Sequence, residues 1–151
     1  MFHFKHKKMN NFLTLPDYLV FITQGALQKI LRDNETKLTD SERMAYGYVY
    51  EKLSASFNLD AEIQKRDGNR NPALVRWMAV LAIYYIYQSV PDNEIPERVR
   101  LNYEDAIAEI QRVASGKDNS TLQPVTSADG TVRSRSRFYY QPRRSHNPFG
   151  F

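Results

Sequence analysis

Apolar positions return along this chain every three or four residues, the spacing of a helix face. In "QGALQKILR", residues 24–32, Leu27, Ile30 and Leu31 fall on one such face. Thr23 stands directly before it and offers a hydroxyl to the first free amides. A second helix is expected through "SERMAYGYVYEKLSASF", with Met44, Tyr48, Val49, Leu53 and Phe57 as its apolar positions. Thr39, followed by Glu42 three residues on, fits a capping box at its start. Gly47 weakens its interior by roughly 1 kcal/mol relative to Ala. Upstream, "DYLVF" (Asp17 to Phe21) is short and rich in β-forming residues, so it reads as a brief extended piece.

Asn71-Pro72 reads as a cap followed by the first residue of a third helix, where proline's missing amide hydrogen costs nothing. That helix runs to about Val90 and is apolar nearly all round, as suits the most covered helix of a bundle. Its core stretch, "WMAVLAIYYIY", is about half the roughly 20 residues that a bilayer span needs. A buried helix is expected there, and no membrane partner. The fourth helix, "PERVRLNYEDAIAEIQRVASGK", has Pro96 and Glu97 at its start and is stopped by Gly116. Val99, Tyr103, Ala106, Ile107, Ile110, Val113 and Ala114 make one stripe; Glu104, Asp105, Glu109 and Arg112 make the other face.

Between helices two and three, "NLDAEIQKRDGNRN" reads as a polar loop, or as a short helical turn followed by a loop. After Gly116, "KDNSTLQPVTSADGT" has loop composition and no usable period. The expected fold is therefore all-α: a small four-helix bundle over residues 16–117, with a basic N-terminal arm at 1–15 and an extended C-terminal arm at 118–151.

Charge sharpens that division. The formal +4 is the balance of +3 in residues 1–10, +5 in residues 131–151 and −4 between them. A mildly acidic globule with basic arms is the pattern of arms that interact. The chain has no cysteine, which excludes disulfides and thiolate metal sites. "MFHFKHKKMNN" is followed by no apolar stretch of signal-peptide length.

Chemistry-bearing constellations are few. His3, His6 and His146 all sit in the arms, with no carboxylate beside the first two, so no metal site is expected. Neither a phosphate-binding glycine loop nor a nucleophile elbow is present. Glu104, Asp105 and Glu109 read as the wet face of a helix, and Trp77, Tyr84, Tyr85 and Tyr87 as core and boundary packing. Tyr46, Tyr48 and Tyr50 point in different directions, and at least one is expected to face outward. No catalytic site and no cofactor are expected; the reading is of a protein that is not an enzyme.

The strongest functional signal is the last stretch, "SRSRFYYQPRRSHNPFGF". Arg133, Arg135, Arg137, Phe138, Tyr139, Tyr140, Arg143, Arg144, Phe149 and Phe151 are candidate partner-binding residues. Arginines interleaved with rings grip nucleic acid by stacking and phosphate contact. Five arginines on duplex phosphates imply a slope of log K against log salt of about −4.5. The same residue types are enriched at protein interfaces. Both readings stand at this point: an assembly arm, or a small nucleic-acid-binding protein using its basic arms on phosphates.

The fourth helix brings in a resemblance. Pro96, Glu97, Tyr103, Glu104, Asp105, Ala106, Ile107, Ala114, Gly116 and Lys117 resemble the closing helix of bacteriophage head–tail connector (adaptor or head-completion) proteins. Upstream, "DYLVFIT", a helix, "LTD", a loop and an apolar helix carrying Arg76 follow in a similar order, so the likeness spans Tyr18 to Lys117. It departs at "NLDAEIQKRDGNRN", where those proteins have a proline-rich, strand-like stretch, and in both basic ends. The resemblance implies a structural virion protein at the portal–tail junction, assembled in the host cytoplasm. It further implies a ring, typically of twelve copies, with the portal protein, tail or further connector proteins as partners. Duplex DNA passes through such a ring without sequence-specific binding. On this reading the tail after the fourth helix, about 36 residues and on the order of 120 Å when extended, is an assembly arm.

Overall fold

The computed structural model describes residues 12–32, 34–91 and 94–126. They form an all-α fold: α1 (Leu15–Leu19), α2 (Gln24–Leu31), α3 (Glu35–Leu53), α4 (Leu59–Gln64), a 3-10 turn at Asp67–Asn69, α5 (Pro72–Gln88) and α6 (Glu97–Ser115). The four expected helices are α2, α3, α5 and α6. Among the described residues there is no strand, only an isolated antiparallel bridge between Phe57 and Pro124.

Helix α5 is the axis of the molecule and packs against α3, α6, α1 and α2. Leu74, Trp77, Met78, Ala79, Val80, Leu81, Ala82, Ile83 and Ile86 are all buried, so the middle of the helix, from Trp77 to Ile83, is covered on every face. Full burial of each large side chain in this set is worth roughly 1.5–3 kcal/mol. Asn71 starts the helix as its sequence predicts, accepting from the amides of Ala73 (3.0 Å) and Leu74 (3.2 Å). Helix α6 buries Val99, Ala106, Ile110 and Val113, and Tyr103, Ile107 and Ala114 pack at its edge. Gly116 ends it in the left-handed region at φ 79°, a conformation that glycine adopts without strain. Thr23 caps α2 through the amide of Ala26 at 3.2 Å.

Three expectations are corrected. First, "DYLVF" is not extended. Asp17 accepts from the amide (2.7 Å) and hydroxyl (2.9 Å) of Thr14, and this closes the first turn of α1. Second, α3 begins at Glu35, one turn before Thr39. Glu42 does not reach back to Thr39, because its carboxylate accepts the hydroxyl of Tyr18. Third, the buried face of α3 is Ser41, Ala45, Val49 and Leu53, while Met44 is 57% exposed. Small side chains at Ser41 and Ala45 let α5 approach closely, since the side chains at a contact set the distance between helices.

Of the two readings of the stretch after α3, the helical turn is the one present, as α4, with the 3-10 turn behind it. Phe12, Leu13 and Leu122 lie outside 16–117 and are nevertheless buried in the same core.

Candidate functional site

The candidate arm residues Arg133, Arg135, Arg137, Phe138, Tyr139, Tyr140, Arg143, Arg144, Phe149 and Phe151 lie outside the described residues, as do His3, His6 and His146. What the fold does describe is how both arms leave the globule, and which surfaces stand ready beside them.

The N-terminal exit is held by Arg70. Its guanidinium donates to the carbonyl of Phe12 (2.6 Å), to Asp17 Oδ2 (2.5 Å) and Oδ1 (3.3 Å), and from Nε to the carbonyl of Asp67 (2.9 Å). It also lies 5.9 Å from the centre of the Phe12 ring. One side chain thus ties together the incoming chain, α1 and the 3-10 turn. Burial alone raises the pKa of Asp17. Hydrogen bonds from Arg70 and Thr14, with the positive charge of Arg70, outweigh this and hold the carboxyl below its ordinary value.

The C-terminal exit is held by Glu62, which is 1% exposed. Its Oε1 accepts from the amide of Gln123 (3.0 Å) and from Lys65 Nζ (2.9 Å). The amide of Asn58 donates to the carbonyl of Gln123 (2.7 Å), and that of Val125 to the carbonyl of Ser56 (3.0 Å). Asn71 Nδ2 donates to the hydroxyl of Thr121 at 2.8 Å. Leu122 fills the space beneath at 3% exposure. The chain that leads to the Arg/aromatic arm is therefore fixed as far as Val125.

Helix α1 buries Tyr18 but leaves Leu15, Leu19 and Val20 in solvent, with Val20 at 74%. Beside this ridge lies an open cleft of about 410 Å³, walled by Val20, Phe21, Pro72, Val75 and the stems of Arg70 and Arg76. A second hollow, about 260 Å³, lies between α3 and the end of α5, with Met44 and Tyr85 in its wall. Arg76 and Tyr85 are nine positions apart, two and a half turns at about 3.6 residues per turn, so the hollows open on opposite sides of α5.

The acidic face of α6 resolves into ion pairs. Glu109 accepts from Arg76 and Glu104 from Arg100 at 2.7 Å, so these carboxylates do not converge on one point. Trp77 is buried and Tyr84, Tyr85 and Tyr87 are half-buried, in agreement with a packing role. Tyr84 stacks on Tyr103 with ring centres 3.8 Å apart. Burial, with Tyr103 close by, pushes the Tyr85 hydroxyl up to about 12. Tyr50 faces outward. Among the described residues no cluster of three His, Cys, Asp or Glu is placed to hold a metal ion, and no helix is long and apolar enough to cross a membrane.

A family model described as Bacteriophage Mu, Gp36 matches residues 17–136. The chain belongs to that phage protein family. The matched span begins inside α1, at the residue clasped by Arg70, and runs through α6 and the Glu62-held segment as far as Ser136. No curated protein and no solved structure matches the chain.

Sequence reasoning missed Arg70, Glu62 and the α1 ridge. Both charges sit inside the polar stretch "NLDAEIQKRDGNRN", and their partners lie 53 and 61 positions away, at Asp17 and Gln123. Only the tight apolar grouping around α1 was there to be seen.

Proposed function

We propose that the chain is a structural virion protein: a subunit of a head–tail connector (adaptor) ring that docks on the portal and joins capsid to tail around the DNA channel. Membership of a phage family sets the context. The observation that carries the reading is the pair of surfaces on opposite sides of α5: the apolar α1 ridge with its cleft, and the hollow where Met44 and Tyr85 lie among the polar side chains Lys37, Asp40, Ser41, Gln88 and Ser89. In a closed cyclic assembly one face of each subunit meets the opposite face of the next, so a ring subunit needs two such surfaces. A folded unit of this size gains stability from copies that bind only its native form.

Light scattering of the full-length protein, alone and with the phage portal protein, tests this. The expected result is a multi-subunit ring, or a complex that forms only with portal. A monomer that ignores portal and binds DNA with a salt slope of about −4.5 overturns it in favour of the nucleic-acid reading.

A further inference from the structure

We propose that the cleft beside α1 receives the Arg137–Tyr140 stretch of the C-terminal arm of a second copy of this chain. The inference rests on the ring reading, which supplies the second copy. Four features lead to it.

The surface is formed in advance. A five-residue helix is marginal alone, yet Arg70 grips α1 at Asp17 and ties it to the incoming chain at Phe12 and to the 3-10 turn at Asp67, while Leu15, Leu19 and Val20 stay exposed. Preorganisation of this kind reduces the cost of binding a flexible partner.

The cleft favours a cation. Of the charges that line it, Arg70 is neutralised by Asp17 and Arg76 by Glu109. Asp67 forms no ion pair with another described residue, so its carboxylate is the uncompensated charge at the rim. Apolar walls with one free carboxylate suit a segment in which arginine precedes rings and no acid occurs. "RSRFYY" from Arg135 to Tyr140 is such a segment. Phe138 and Tyr139 match the walls, and Arg137 matches Asp67.

The reach fits. Val125 is pinned to Ser56, and eleven residues separate Thr126 from Phe138. Extended, they cover about 40 Å, close to the width of a folded unit of this size, roughly 35 Å by compactness scaling. An arm launched from one subunit thus arrives at the next.

The arm is paired in charge with the globule as a whole, +5 against −4, which speeds encounter and suppresses wrong docking.

The absence of native cysteine gives a clean test on the full chain. Val20→Cys copies are mixed with Tyr139→Cys copies under mild oxidation, and the joined peptides are identified by mass spectrometry. The expected result is a V20C–Y139C link between copies, forming on the order of tenfold faster than a control link from Leu101→Cys, another exposed site, because docking raises the effective concentration. A rate no faster than the control overturns the proposal. So does an internal link in the V20C/Y139C double variant without links between copies, which assigns the cleft to a chain's own arm. A faster link from Phe4→Cys assigns it to the N-terminal arm and equally overturns it. Rings that assemble without the V20C–Y139C link leave the connector reading intact and refute only the cleft. The link without rings does the reverse.

Discussion

Arg70 and Glu62 fasten opposite ends of the same folded unit, eight positions apart in sequence. Arg70 is a fan of donors, and its hydrogen bonds go to two carbonyls and a carboxylate, with the Phe12 ring beside it. Glu62 is an acceptor drawn deeper into the core, and it is met only in part. Oε1 serves Gln123 and Lys65, while Oε2 has no hydrogen-bond partner among the described residues. A buried charge that is matched on all sides stabilises; one that is half matched bears much of its desolvation cost uncompensated. The N-terminal fastening is therefore expected to be the firmer. The C-terminal one, which launches the arm proposed to reach a neighbour, is the looser.

Removing each side chain tests that ranking. Arg70→Ala orphans Asp17 and two carbonyls at once, and a loss of about 3 kcal/mol is expected in denaturant unfolding. Glu62→Ala orphans the Gln123 amide but also removes a buried carboxylate that is only half matched, so about 1–2 kcal/mol is expected. With it, hydrogen exchange at Gln123 and Val125 should accelerate while α5 stays protected. Glu62→Gln keeps an acceptor oxygen and should change stability by under about 1 kcal/mol. A Glu62→Ala loss larger than that of Arg70→Ala would invert the comparison.

The smallest effect is one of pH, inside the N-terminal fastening itself. Asp17 is depressed, so its contribution is present above its ordinary 3.8 and is lost as pH falls through the lower folded value. Glu42 runs the other way. Burial first, and Asp17 nearby, raise its carboxyl despite the hydrogen bond from Tyr18. Its contribution is thus present below its ordinary 4.5 and is lost as pH rises through the folded value. Glu42→Gln should then raise stability near pH 7, with the gain vanishing below about pH 4.5. Asp17→Asn should lower stability near pH 7, with the loss shrinking in acid below about pH 4. Melting temperatures across that range check both signs.

Sequence periodicity carried the long helices and not the fastenings, for a physical reason. The stripe of α6, the wrap-around apolarity of α5 and the caps Thr23 and Asn71 depend on residues within about a turn of each other, and such patterns are legible in one dimension. Helix α1 spans a turn and a half, too short for a period to show, and β-forming side chains at Tyr18 and Val20 outvoted Thr14 and Asp17. In α3, Met44 sits at helical spacing with Tyr48, yet the small residues Ser41 and Ala45 face α5, because close packing selects size as well as polarity. The capping pattern of Thr39 and Glu42 was genuine in spacing but its acid was claimed by Tyr18, 24 positions away. Exposed apolar surfaces such as the α1 ridge depend on which apolar residues fail to find cover, and that is settled only once the core has closed.

Trp77 is the single tryptophan of the chain, sealed inside α5, and its indole N–H meets no acceptor among the described residues. Ten tyrosines surround or follow it in the sequence and absorb at shorter wavelength. Ultraviolet emission from this protein is accordingly the light of one apolar interior: it shifts to the red when the helices part, and an event confined to either arm leaves its colour unchanged.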